Sequence, residues 1–525
     1  MAAAYKSSKV GAVLRTLQKQ GVLQPSEARK GEDVILAYDL DALEAGFRSL
    51  TEAFPAHFLH CYAMKAAPMG FIVEKAIQAG LGIEAASILE VENALLHGCQ
   101  PANIVFDSPA KTFRELDYAL SLGIHINANT FEEIDRIASI LSEPTPSHAP
   151  PRYPPSVGLR INPLVGEGTI AALSVATATS KFGVPLSSCS YDPSTPIENI
   201  PSSSSKDRIL GAFRKYPWLT GLHVHVGSQG ISMGQLAHGV RVLSLLAIDV
   251  DKAMGMEDGG GPGESGGRVR TMDLGGGLGV DYASPRNSPN FTELAATLKR
   301  AAPSLFLPPP AQEGGKGSVE PQSGCSAGHP RIRVVTEFGR GLTVRTAWLA
   351  SRVEYVFANA DGGLEGAETL RTAILHAGAD ILLRECYLPG RFPHRFSLYS
   401  EAGQGVAVEG EEEGEEEGEE EGMVEARLTR RPGRFNLAGP LCFAGDVIAK
   451  GVRLPLLTSG DWVVVHDVGG YTLALFSRYC SRSAPAVVGY WKGGEEGGER
   501  GEEIQVRVLQ ARETEKSVLG FWGGR

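Results

Sequence analysis

Eight places in the chain put a chemically capable side chain at the end of a short apolar run. They are Lys65, Glu84 with Ser87, Asp107, Asn129, Arg160, His225 with Ser228, the glycines Gly275, Gly276 and Gly277, and Glu337 with Arg340. Lys65 closes the run HCYAMK. A lysine there is either desolvated for Schiff-base chemistry or reaches back to water along its apolar stem. The three glycines follow RTMDL, and the N–H groups of a Gly-rich turn after a strand can cradle a phosphate. The dinucleotide spacing fails, because Val280 stands where the third glycine belongs. His223 and His225 (HVH) share one strand face, a spacing that also suits two metal ligands. Few further ligands stand at the other strand ends, so His225 with Ser228 reads better as a ring-stacking and phosphate-contacting pair. An amine, a phosphate cradle, a carboxylate and a flat ring contact are together what pyridoxal phosphate requires. Lys65 would carry it and Glu337 would keep its pyridine nitrogen protonated, making the ring an electron sink. Ser228, the glycines and Arg340 would hold the phosphate, with Glu84 and Arg160 completing the cofactor-facing set.

The elements that position these groups repeat along the chain. Strand-like runs lie at 58–65, 80–87, 104–109, 125–130, 157–162, 219–228, 270–276 and 332–339. Between them come amphipathic helical stretches, such as 71–79, 89–97, 112–121 and 131–141. Eight strands alternating with helices predict an α/β fold, a closed (β/α)8 TIM barrel, with an open doubly wound sheet as the alternative. In a barrel, groups at the C-terminal strand ends converge on one face. The tail after 341 holds strand-like runs and few helical ones. The expected domains are 1–34 as a segment joining the β-domain, 35–340 as the barrel, and 341–525 as a β-rich C-terminal domain.

Composition narrows the function. With 525 residues, 42% of them apolar and 21% charged, the chain can bury a large core. The net charge of -11 is concentrated in two runs. Residues 409–421 carry ten acids and no base, and 492–503 carry five acids against two bases. Without those runs the charge is +2. A basic stripe with interleaved aromatics is missing, which argues against a nucleic-acid reader. No apolar run is long enough for a membrane-spanning helix. Six stretches poor in large apolar residues read as solvated insertions: 143–156, 187–206, 255–268, 308–330, 405–422 and 492–503. The seven cysteines form no CxxC pair and read as free thiols in a reducing compartment. That predicts a cytoplasmic protein. The acid-free first 26 residues, with Lys6, Lys9, Arg15 and Lys19, also allow an organelle-targeting segment, although an ordinary helix fits them better.

Nine motifs resemble one known family, the fold-type III pyridoxal-phosphate decarboxylases acting on diaminopimelate, ornithine and arginine. They are YAMKA (62–66), GIEAAS (82–87), LRINP (159–163), SKFG (180–183), HVHVGSQ (223–229), DLGGGLG (273–279), TEFGR (336–340), GPLCFAGD (439–446) and GGYTLALFSRY (469–479). They span about 420 residues in the family's order, and the SKFG and LRINP wording is closest to the diaminopimelate branch. The resemblance implies an alanine-racemase-like barrel with a β-domain, an amino-acid substrate and a homodimer with shared sites. It makes Lys65 the Schiff-base lysine, His225 the residue stacked on the cofactor ring and Glu337 the pyridine-nitrogen partner. Ser228, Gly275, Gly276, Gly277, Gly339, Arg340 and Tyr471 become cofactor contacts. Cys442 takes the position of the general acid, supplied by the second subunit; free thiols are mostly protonated at neutral pH.

Departures from the family pattern concern the substrate. Phe338 replaces the usual proline after the glutamate. Phe443 stands where an aspartate or glutamate usually helps hold a distal ammonium, leaving Asp446 nearby. Arg384 and Tyr387 in LLRECY only approximate the Arg-Pro-x-x-Tyr segment that binds a distal carboxylate. These readings point to an amino-acid α-decarboxylase with a less cationic substrate side chain. The competing readings are a racemase on the same barrel, a non-catalytic decarboxylase-like regulator, and a metal-dependent barrel hydrolase using His223 and His225.

Overall fold

The structure, a computed structural model, describes residues 7–25, 32–142, 156–186, 204–255, 267–284, 290–307, 332–359, 369–410, 427–493 and 503–524. Most of the six expected insertions, Cys189, Cys325 and residues 411–421 lie outside them. Residues 405–408 are an exception: GVAV forms a strand between Phe396–Tyr399 and Leu428–Arg430. Its valines suit a pleated surface. The chain divides into two units, one of residues 47–279 and 289–341, the other of 1–46, 280–288 and 342–525.

The first unit is a closed parallel barrel. Its eight strands are Phe58–Ala63, Gly82–Ala85, Ile104–Asp107, His125–Ala128, Val157–Asn162, Leu219–Val224, Thr271–Asp273 and Arg333–Phe338. Each pairs with the next, and the eighth pairs with the first (Glu337 opposite Cys61), which closes the ring. All eight fall on runs read from the sequence, and closure removes the open-sheet alternative. The strands are short because each needs only to bury two faces. Ile83, Val105, Ile126, Leu159, Leu222, Met272 and Val335 are fully buried. Helices such as Ile88–Leu96 and Phe113–Leu122 alternate with them. Thr112 and Glu115 form a capping box at the start of the second.

The second unit is built on a sheet of 11 strands among the described residues. Its centre is the long strand Ala347–Ala358, antiparallel to both Trp462–His466 and Val34–Asp39. Val34–Asp39 therefore belongs to this sheet, although 35–340 was expected to be barrel. Its buried run VILAYD pairs in parallel with Ala486–Lys492 on its other edge. The helix Ser7–Lys19 buries Val10, Val13, Leu14 and Leu17 in a core with Trp348, Trp462, Val464 and Val488. No helix among the described residues is long and apolar enough to cross a membrane.

Candidate active site

The barrel strands deliver their polar groups to one end. Lys65 leaves the first strand on a short turn, Met64–Ala66, and its Nζ lies 2.6 Å from both Oε1 and Oε2 of Glu84, at the end of the second strand. Glu84 is fully buried, and burial raises its carboxyl to about 7 against the lowering effect of Lys65. At the third strand end, Asp107 accepts a 2.7 Å hydrogen bond from Arg160 Nη1, from the fifth strand. Burial alone would raise Asp107. The charge of Arg160, with those of Lys111 and Lys65, outweighs it and holds the group well below the usual carboxylate range.

His225 and Gly276 meet: the Gly276 N–H donates to His225 Nδ1 over 3.2 Å. Burial, with Arg160 and Lys65 nearby, pushes the ring's pKa well down. The ring is therefore neutral, with its proton on Nε2. It offers an uncharged flat face. Arg340 Nε donates to Ser228 Oγ over 3.1 Å, joining two expected phosphate contacts. Gly276 leaves no room for a side chain, because a Cβ there would lie 1.7 Å from the Glu337 carbonyl oxygen. Gly275 and Gly277 have φ of +66° and +117°, a backbone that favours glycine. Gly339 likewise packs against Ala63 and Ala66 beside the lysine turn.

Two expected strand-end groups serve the scaffold. Ser87 caps the helix Ile88–Leu96 through the Glu90 N–H. Asn129 fastens the SKFG turn, accepting from the Gly183 N–H at 2.8 Å and donating to the Lys181 carbonyl at 3.0 Å. The sequence reading missed one group, Asp273, and weighed another, His223, only as a metal ligand beside His225. His223 is fully buried between Asp107 (3.8 Å) and Glu337 (3.6 Å), so it faces the site ahead of His225. Asp273, the last residue of the seventh strand, is fully buried and accepts from the Gly275 N–H at 3.0 Å and from Asn127 Nδ2 at 2.8 Å. Polar residues inside otherwise apolar strands were the available signal. Asp107, His223 and Glu337 also bring three ligand atoms within 4.8 Å of one another, a different trio from the His223–His225 pair considered for a metal. The Arg160 guanidinium already neutralises Asp107, and Lys65 adds a second positive charge that opposes a cation there.

In the sheet unit, Arg384 and Tyr387 lie on the short helix Leu383–Tyr387. The Arg384 guanidinium sits 4.5 Å from the Tyr471 ring centre, and Tyr387 stacks on Phe443 at 5.6 Å. Glu385 on the same helix pairs with His394 at 2.7 Å, both buried. Cys442 is exposed. Asp446 departs from expectation. Rather than facing a substrate ammonium, it is buried, with Oδ1 accepting from the Ala379 N–H (2.6 Å) and Oδ2 from the Leu441 N–H (2.7 Å). Asp446→Ala would orphan two buried donors, each costing about 1–3 kcal/mol. A fall in urea midpoint with unchanged substrate preference is the expected result.

The raised carboxyls also predict a pH response of the cofactor-free protein. Burial raises Glu84 to about 7, and raises Asp273 and Glu337 to about 8. The folded state thus holds protons that the unfolded chain has released, so these groups make stability fall as pH rises. Below 6.5 three other buried histidines oppose this, since burial lowers His60 to about 4 and both His125 and His466 to about 3. Above 6.5 they are neutral in both states. The melting temperature is expected to drop between pH 6.5 and 8, and a flat profile there would contradict the raised carboxyls.

The donor set fits pyridoxal phosphate. Glu337 Oε1 is buried without a hydrogen-bond partner, as a pyridine-nitrogen acceptor would be before the ring arrives. Lys65, the glycine cradle and the neutral His225 ring complete the demand. This is the class of pyridoxal-phosphate enzymes built on a parallel barrel. The chain belongs to the pyridoxal-dependent decarboxylases: residues 40–321 match the model of that family's pyridoxal binding domain. Diaminopimelate decarboxylases of Pseudomonas aeruginosa and Archaeoglobus fulgidus are 26% and 23% identical, over 86% and 85% of both chains. Among solved structures, Helicobacter pylori diaminopimelate decarboxylase complexed with L-lysine matches with a TM-score of 0.66 at 21% identity. The match covers 94% of this chain and 98% of that one. The Paramecium bursaria Chlorella virus arginine decarboxylase matches with a TM-score of 0.61 at 15% identity, covering 92% and 99%. The protein is a pyridoxal-phosphate-dependent amino-acid decarboxylase.

Proposed function

We propose that this decarboxylase acts on an amino acid related to diaminopimelate whose side chain is less cationic than those of ornithine and lysine. One observation carries the reading: Phe443 follows the general-acid cysteine, and both oxygens of Asp446 are taken by backbone donors. No carboxylate in GPLCFAGD remains to meet a distal ammonium. Arg384, held over Tyr471, supplies a positive charge suited to a distal carboxylate.

Bound pyridoxal phosphate supplies an electron sink for the charge left when CO2 departs. The chain's own residues do the rest. Lys65 must lose a proton to become a nucleophile, and Glu84, raised to about 7 and 2.6 Å away, accepts one near neutral pH. His225 presents a neutral face, and Glu337 faces the pyridine nitrogen. Arg340, Ser228 and the Gly275–Gly277 amides bind the phosphate. Cys442, supplied by a second copy of the chain in a homodimer, returns a proton to the α-carbon. The bacterial and archaeal relatives support a cytoplasmic location.

The test is CO2 release over a panel of amino acids, with both stereochemical centres of diaminopimelate represented. A clear preference for diaminopimelate or ornithine would overturn the shifted substrate. Exchange of the α-hydrogen for deuterium without CO2 release would favour the racemase.

A further inference from the structure

Arg384 stands on a helix of five residues, Leu383–Tyr387, which has no side-chain cap. A helix that short has no stability of its own, so its neighbours must hold it. The next residue, Glu385, reaches His394, which lies just ahead of the strand Phe396–Tyr399. Glu385 Oε1 is 2.7 Å from His394 Nε2, and the two side chains are only 9% and 4% exposed. On the other side of the ring, His394 Nδ1 lies 2.6 Å from the His466 carbonyl oxygen. Both neighbours of the ring are thus acceptors. A carbonyl oxygen can only accept, so Nδ1 carries a proton. Nε2 meets a carboxylate, and imidazole is the stronger base by about two pH units. The second proton therefore sits on the ring as well, and His394 is an imidazolium. Burial lowers its pKa, but Glu385, the His466 carbonyl and Asp467 outweigh burial and raise it. The same side chains frame the arginine. The Arg384 guanidinium lies 4.5 Å from the Tyr471 ring centre and 5.3 Å from that of Phe392. Phe392 and His394 both pack edge-on to Tyr282, at 5.6 and 4.9 Å.

We propose that His394 is a positioning residue for the substrate: as an imidazolium bridging the Glu385 carboxylate and the His466 carbonyl, it ties the Arg384 helix to the sheet and so sets the affinity for a distal carboxylate. The inference rests on the reading of Arg384 as the contact for that carboxylate. The other charged and titratable groups around the pair are matched among themselves. Arg395 pairs with Asp467 at 2.8 Å. The His466 ring is held neutral by burial, at about 3, and meets Ser397 Oγ at 2.8 Å. The sign of the pH response follows. As pH rises through the raised pKa of His394, Nε2 loses its proton and faces the Glu385 carboxylate as a second acceptor. The tie is then lost, and Arg384 is held less firmly in place.

The experiment has two arms. The first reads the side-chain nitrogen resonances of 15N-histidine-labelled protein, with the His394 signal identified by its loss in His394→Gln. At about pH 7.5 an ordinary histidine is roughly nine-tenths neutral, whereas His394 is expected to be an imidazolium, and to become neutral in Glu385→Gln. A neutral His394 in the wild type would overturn the ion pair. The second arm compares L-2-aminopimelate, which has a distal carboxylate, with L-norleucine, the same chain without it. Each is measured as KM, or as a competitive inhibition constant against the amino acid turned over fastest. In the wild type the aminopimelate constant is expected to rise relative to that of norleucine on the alkaline side. Glu385→Ala should raise it about tenfold at every pH, the scale of a lost hydrogen bond to a charged group. Glu385→Gln should restore it and flatten the alkaline rise, because the amide donates to a neutral Nε2. A merely structural pair would lower the melting temperature in both variants and leave the ratio of the two constants unmoved, which would overturn the positioning role. Were Glu385→Ala unfolded, the pH slope of Glu385→Gln decides alone. The resonance arm needs no substrate. If aminopimelate binds no better than norleucine in the wild type, the reading of Arg384 fails and takes the positioning role with it, while the imidazolium stands or falls on its own signal.

Discussion

Lys65→Ala is expected to fold, to bind no cofactor through a borohydride-reducible bond, and to lose activity on the order of 10³-fold, the scale of removing a group that moves protons at the reacting centre. The geometry separates this from a lysine that merely snorkels. Its Nζ is held at 2.6 Å by both oxygens of a fully buried carboxylate, on a turn packed against Gly339. Folding survives because Glu84 has a way to neutralise itself. Its carboxyl already sits near 7, and Lys65 is the charge holding it down. Without that charge Glu84 rises further and is protonated at neutral pH, so no uncompensated buried charge remains. The measurement is the absorbance of the loaded protein before and after borohydride, with the mass of the peptide containing residues 62–66. A labelled peptide from any other lysine would remove Lys65 from the mechanism. Glu84→Gln should keep the bond but move the alkaline limb of its formation rate, since the lysine loses its nearby proton acceptor.

The barrel was legible because its strands are apolar on both faces and end in polar residues, as in the runs closing at Lys65, Asp107 and Glu337. Closure itself, and the assignment of Val34–Asp39 to the other sheet, were not. A buried strand reads the same in a barrel as in a sheet, and only its pairing with Ala486–Lys492 shows where it belongs. His223 was visible but paired with the wrong histidine. Alternation puts His223 and His225 on one side of a straight strand, yet the strand ends at Val224 and His225 turns to the Gly276 amide. Asp446 shows the opposite limit. Its type matched a substrate contact, but its meaning lies in two backbone N–H groups, Ala379 and Leu441, and the first is 67 residues away. Asp273 was hidden for a related reason: it reads as the end of a strand, and only the fold brings Asn127 to it.

Phe443→Glu is expected to raise kcat/KM on amino acids with a distal ammonium by about two decades, chiefly through KM. On the proposed substrate reading the wild type leaves such an ammonium without a carboxylate, and breaking a buried pair in this way costs about 3–5 kcal/mol. A carboxylate introduced at position 443 would recover part of that. The position can accept a charge. Phe443 is half-buried, its ring lies over Gly445, and Tyr387, on which it stacks, is 61% exposed, so a carboxylate there keeps contact with water. Losing the Phe443–Tyr387 stack costs about 0.5–1.5 kcal/mol, too little to unfold the sheet unit. Asp446→Asn is the control. Its carboxylate serves the Ala379 and Leu441 amides, so it should change the melting temperature and leave the preference among substrates alone. If Phe443→Glu gains nothing on diamino substrates while the wild type already turns them over well, the ammonium finds its partner elsewhere. Phe443 would then be only a packing residue beneath Tyr387. If the gain appears only in kcat, the effect runs through proton return by the adjacent Cys442. The split between kcat and KM therefore distinguishes a substrate contact from a disturbance of the general acid.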